Sequence, residues 1–125
     1  MTVDILLVDD NAIQAATRKA ILTRSGRTVL VASDGEQALV MLETATRPVG
    51  LVITDHLMPN MNGPEFVALL RERYPQLPVL VLSGLADAEE AYEGQDVIFR
   101  MKPLPPDELL MLVRSLLDEP MGRTA

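Results

Sequence analysis

Five polar residues sit where this 125-residue chain passes from apolar runs into loops: Asp9 and Asp10, Asp55, Ser83, and Lys102 ahead of Pro103. Three carboxylates brought together repel one another, and desolvation raises their pKa values unless a cation resolves the conflict. An all-oxygen group with few protein ligands suits Mg²⁺, which keeps waters and recruits phosphate oxygens to complete its shell. Lys102 then supplies a positive partner for a phosphoryl group, and Ser83 a hydrogen bond to one of its oxygens. Such a set positions and neutralises a phosphoryl in transfer. Taken singly, each residue is an ordinary polar group at a strand end, and Ser83 alone carries little weight. The reading rests on Asp9, Asp10, Asp55 and Lys102 jointly.

The elements that must position them alternate. Short β-branched and Leu-rich runs at Asp4–Val8, Thr28–Ala32, Leu51–Thr54, Val79–Leu82 and Val97–Met101 read as buried strands. Helical segments separate them. Asn11 caps a first helix running to about Ser25, with Ile13, Ala16, Ala20 and Ile21 inward and Gly26 as its stop. Asp34 opens a second, with Ala38, Leu39 and Leu42 on one face. Pro64 suits the first turn of a third that buries Phe66, Leu69 and Leu70 and ends before Pro75. The fourth, about Ala86 to Glu93, is short and has a thin apolar stripe; the last begins near Pro105 and carries Leu109, Leu112, Val113, Leu116 and Leu117. Fivefold strand–helix alternation predicts an α/β parallel sheet covered on both faces, with ligands bound outside the C-terminal strand ends. The five polar residues fall at those ends.

The remaining features bound the function. Apolar residues make up 48% and charged residues 23%, a globular mix, and aromatics at 3% leave aliphatic side chains to fill the core. With no cysteine, disulfides, thiolate metal sites and thiol nucleophiles are excluded. The N-terminus does not read as a signal peptide, and no apolar run is long enough to span a membrane. A net charge of −7 argues against a broad nucleic-acid footprint.

Ile5-Leu6-Leu7-Val8-Asp9-Asp10, Thr54-Asp55-His56-Leu57-Met58-Pro59 with Met61-Asn62-Gly63, Val81-Leu82-Ser83-Gly84 and Lys102-Pro103, in that order, resemble the signatures of response-regulator receiver domains over about residues 3 to 118. The resemblance implies a flavodoxin-like, doubly wound five-stranded parallel sheet of order 2-1-3-4-5 with five helices, the fourth short. It implies that Asp55 is the phosphoacceptor, attacking a phosphohistidine of a histidine kinase or a histidine phosphotransfer domain. Asp10, Asp55 and the Leu57 main-chain carbonyl would hold Mg²⁺, with Asp9 acting through water. Lys102 and Ser83 would bind phosphoryl oxygens, Ser83 and Phe99 would be the switch residues, and the Lys102-Pro103 bond would be cis. Output would pass through the face of the fourth helix, fifth strand and last helix to a partner not named by the sequence. A cytoplasmic setting follows from the family, and the Gly63-Pro64-Glu65 run resembles receivers of hybrid histidine kinases. The receiver would occupy residues 1–119, with 120–125 a flexible tail.

Several positions depart from the family pattern. His56, the only histidine, reads as an exposed loop residue. Leu57 and Leu85 stand where polar side chains that orient water are often found, so self-dephosphorylation should be slow. The stretch from Ser83 to Lys102 is about one helical turn short for the family, which puts the usual homodimer through that face in doubt. Leu110 and Met111 lie off the last helix's stripe and are candidates for a partner surface. Three rivals remain: an aspartate-nucleophile phosphatase, disfavoured because Asp9 and Asp10 are adjacent rather than two apart; a flavin- or nucleotide-binding protein, disfavoured because Asp9-Asp10-Asn11 would repel phosphate; and a pseudo-receiver that binds partners without phosphorylation.

Overall fold

Side chains alternate along a strand, so one strand can feed two cores. In β1 (Asp4–Val8), Ile5 and Leu7 join one apolar cluster while Leu6 and Val8 join another, and all four are fully buried. The computed structural model, described for residues 3–117, continues that logic through β2 (Val29–Ala32), β3 (Val49–Asp55), β4 (Val79–Ser83) and β5 (Ile98–Met101). All pairings are parallel, and the order is β2-β1-β3-β4-β5. The expected flavodoxin-like sheet is therefore what forms.

Among the described residues four α-helices cover it: α1 (Ala12–Thr23), α2 (Gly35–Thr44), α3 (Gly63–Arg73) and α4 (Pro106–Leu117). The face with Leu6, Val8, Val52 and Val81 packs Ala38 and Leu39 of α2 and Phe66, Val67 and Leu70 of α3. The opposite face packs Ala15 and Leu22 of α1 and Leu109 and Val113 of α4. Helix starts are set locally. Asn11 accepts from the Gln14 N–H at 2.9 Å and Asp34 from the Gln37 N–H at 2.8 Å, while Asn62 and Glu65 form a reciprocal capping box.

The fourth helical segment, Ala86–Tyr92, is a 3₁₀ helix. Its seven residues bury only Ala88 and Tyr92, and three of them, Asp87, Glu89 and Glu90, are acidic. A segment so short, with so little to bury, gains too little from packing to hold a regular α-helix.

The first helix turns a different face inward than its isoleucine and alanine spacing predicts. Ile13, Ala16 and Ala20 are exposed, Ile13 at 81%, and Ile21 alone of that set is half-buried. The inward positions are Ala15, Arg18 and Leu22, with Gln14 beside them. Alanine on two faces of one helix leaves its apolar stripe ambiguous, and Leu22 fixes the register. Leu110, expected off the stripe of α4, is 7% exposed, whereas Met111 is 66% exposed. The expected tail at 120–125 and the domain's end at 119 lie outside the described residues.

Candidate functional site

Strand register brings the polar residues to one sheet edge. Val8 lies beside Thr54, Asp55 beside Leu82 and Ser83 beside Met101. Backbone bonds carry the ladder past the strand ends: Asp9 N–H to Ala32 O at 3.0 Å, His56 N–H to Leu82 O at 3.0 Å, and Lys102 N–H to Ser83 O at 2.8 Å. Asp9, Asp55 and Ser83 are buried, Asp10 is exposed, and Lys102 is half-buried.

Carboxylate oxygens of Asp9, Asp10 and Asp55 all lie within 4.8 Å of one another. Lys102 Nζ approaches Asp55 Oδ1 to 3.0 Å. Ser83 Oγ accepts from the Leu85 N–H at 2.9 Å. The Lys102–Pro103 peptide is cis. Burial pushes the Asp55 carboxyl up from its ordinary 3.8 to about 6; Asp9 adds to the push and Lys102 opposes it. Three hard oxygen donors this close, one of them destabilised as an anion, fit a small divalent cation such as Mg²⁺.

Two residues that the sequence reading left out enter this site from α1. Gln14 Nε2 donates to Asp9 Oδ2 at 2.8 Å and to Asp55 Oδ2 at 3.1 Å. Arg18 Nη1 lies 3.2 Å from Asp9 Oδ2 and 3.4 Å from Asp55 Oδ1. They stand four apart, one helical turn, on the face that looks onto the end of β1 and β3. That spacing from Asp10 was the available signal.

His56 is half-buried rather than an exposed loop residue. Its Nδ1 lies 2.7 Å from the Tyr92 hydroxyl, and the Tyr92 ring in turn contacts that of Phe99 at a centroid distance of 6.0 Å. Burial holds the Tyr92 phenol above its ordinary pKa, so it stays a neutral donor or acceptor. The residue after Asp55 is thus tied through the 3₁₀ segment to β5. A methyl group at Gly63 would sit 2.0 Å from Tyr92 Oη and 3.0 Å from His56 O. Gly63→Ala is therefore expected to cost about 2 kcal/mol, the usual scale of overpacking. Urea unfolding checks it, and a variant as stable as the wild type would contradict this packing.

Phe99 is half-buried on β5 and packs against the cluster that contains Val81 and Tyr92. Leu57 and Leu85 are 64% and 46% exposed, placing apolar side chains at the surface on the loops that follow Asp55 and Ser83.

The family model for the response regulator receiver domain matches residues 5–114. The chain is 37% identical over 120 residues to the response regulator MprA of Mycobacterium ulcerans, covering 94% of this chain and 51% of that protein. It is 30% identical over 118 residues to the hydrogenase transcriptional regulatory protein HoxA of Cupriavidus necator, covering 91% of this chain and 24% of that protein. The chemotaxis protein CheY4 of Vibrio cholerae superposes with a TM-score of 0.83 at 27% identity, over 94% of this chain and all of that one. The chain thus spans about half the length of the first of these curated relatives and about a quarter of the second. Ordered motifs, sheet topology and acidic edge agree with the match: this chain belongs to the response regulator receiver domain family, the phosphoacceptor switches of two-component signalling.

Proposed function

We propose that Asp55 is the phosphoacceptor of this receiver and that Asp10, Asp55 and the Leu57 main-chain carbonyl hold Mg²⁺, with Asp9 acting through water. The observation that carries the reading is the placement of Asp55, 3% exposed, raised to about 6, and 3.0 Å from Lys102 among two further carboxylates. An Asp55 carboxylate oxygen attacks the phosphorus of a phosphohistidine on a histidine kinase or phosphotransfer protein. The new P–O bond forms as the P–N bond breaks, and the histidine nitrogen leaves with the electron pair. Lys102 and Ser83 take phosphoryl oxygens, and Mg²⁺, held by Asp10, Asp55 and the Leu57 carbonyl, would supply charge neutralisation for the transferring group. Ser83 lies on β4 beside β5, so its movement toward the new oxygens frees space for Phe99 to turn inward. The face of the 3₁₀ segment, β5 and α4 then changes for its output partner. The protein is a signalling switch whose only chemistry is on itself, in a cytoplasmic setting; a second copy of the receiver and an output partner are alternative readers of that face. Net charge of −7 favours a protein reader over nucleic acid.

The acidic set and Lys102 are complete, which argues against a phosphorylation-independent pseudo-receiver. Titration with beryllium fluoride in the presence of Mg²⁺, followed by NMR, separates the two. Saturable amide shifts at Asp55, Ser83 and Phe99 are expected; an unchanged spectrum would favour the pseudo-receiver.

Leucines at 57 and 85 offer no group to orient an attacking water. The phosphoryl should therefore be long-lived, and Leu57→Asn should shorten its lifetime by roughly tenfold, less than the ~100-fold or more of full acid–base catalysis because asparagine only orients the water. Decay of the phosphorylated protein measured by intact mass checks this. Equal lifetimes would contradict it.

A further inference from the structure

Arg18 places a guanidinium inside the acidic site, with only 14% of its side chain exposed. Its Nη1 reaches one oxygen of each buried carboxylate, Asp9 Oδ2 at 3.2 Å and Asp55 Oδ1 at 3.4 Å. Gln14 reinforces the same pair from one turn away. Asp9 is thereby engaged on both oxygens, since its Oδ1 accepts from the Asn11 N–H at 2.9 Å. Asp55 is likewise engaged on both, by Lys102 and Arg18 on Oδ1 and by Gln14 on Oδ2. Asp10 is different: it is exposed and has no hydrogen bond or ion pair among the described residues.

From this pattern we infer that Arg18 is a resident counter-ion for Asp9 and Asp55, and that a divalent cation enters the site by displacing its guanidinium. The inference rests on the metal reading given above. Two positive centres competing for oxygens that lie within 4.8 Å of each other repel strongly in a buried setting. Each then weakens the other's hold by the same factor, as linkage requires. The displaced side chain has somewhere to go. Arg18 also lines a groove of about 590 Å³ between α1 and the start of α4, walled by Thr17, Ile21, Pro103 and Leu109. Rotation of its flexible stem moves the charge from the carboxylates into that groove without disturbing the buried Ala15 and Leu22. Asp10, unpaired, is the carboxylate at which an arriving cation meets no competitor. The consequence is a receiver that tolerates its carboxylate cluster without metal and yields it only when the cation is abundant.

The test is calorimetric titration of Mg²⁺ alone into wild type, Arg18→Met and Arg24→Met. Methionine at 18 keeps much of the stem and removes the charge, and the exposed Arg24 controls for the same change in net charge. Arg18→Met should bind Mg²⁺ on the order of tenfold more tightly than wild type, within the usual range of site coupling; Arg24→Met should match wild type. Affinity unchanged or weakened in Arg18→Met, with wild type still binding, would overturn the inference and leave the metal reading standing. No Mg²⁺ binding by wild type or variant would overturn the metal reading itself and the inference with it. A readout on the unmodified chain guards against a misfolded variant: the Arg18 side-chain NMR signal should change with the same saturation as the Asp10 amide. An Arg18 signal that stays fixed while Mg²⁺ saturates the site would also overturn the displacement.

Discussion

Asp55→Asn is expected to abolish stable acceptance of a phosphoryl group, and Lys102→Ala to slow acceptance about 100-fold, the scale of removing one fixed donor from a developing charge. Asparagine offers no carboxylate oxygen for attack, and the other groups of the site cannot replace it. Asp9 is held on both oxygens by Asn11, Gln14 and Arg18, and Asp10 is exposed at the rim. Lys102 acts differently: its Nζ at 3.0 Å from Asp55 Oδ1 offsets charge near the acceptor without joining the chemistry. The two variants should therefore differ in kind. One removes the reaction at any donor concentration; the other slows it and is partly rescued by more donor. Time courses of phosphoryl incorporation for the two proteins check this. Equal residual rates would show that Asp55 is not the acceptor.

Stability of the metal-free protein should fall as pH rises from about 4 to about 6. Asp55 releases its proton near 3.8 when unfolded but holds it to about 6 when folded. Between those values the unfolded chain binds fewer protons, so raising the pH favours unfolding. Below 3.8 both states are protonated and the group costs nothing. Above about 6 the full difference is lost, about 3 kcal/mol for a shift of this size. Asp55→Asn lacks this titration. Its stability relative to wild type should grow by up to that amount between pH 4 and 7 in chelator, and Mg²⁺ should narrow the gap by binding the folded wild type. Urea unfolding of both proteins across that range measures it. Parallel pH profiles would contradict the burial of an unfavourable charge at Asp55.

Much of this was legible in the sequence because strands buried on both faces must be apolar throughout, and their ends then stand out. Val8-Asp9, Thr54-Asp55, Leu82-Ser83 and Met101-Lys102 each mark such a break, and the parallel order brings those breaks to one edge. What escaped was on α1. Nothing in the sequence marks Arg18 as inward, because arginines on helices usually face solvent, yet its long stem lies inward and its head finds two carboxylates contributed by strands. Periodicity alone could not choose between faces both dotted with alanine. His56 escaped for a related reason: its partner Tyr92 is 36 residues away, and no local pattern links a loop histidine to a tyrosine in a 3₁₀ turn. The conformation of the fourth segment was open too, because its few apolar residues fit a short α-helix as well as a 3₁₀ one.

Incubation of the wild-type protein with a small phosphodonor, with and without Mg²⁺, followed by peptide mapping of the modified residue, bears most directly on the account. A single Mg²⁺-dependent phosphoryl group on Asp55 is the expected result. Modification of another residue, or none with Mg²⁺ present and the protein folded, would contradict it.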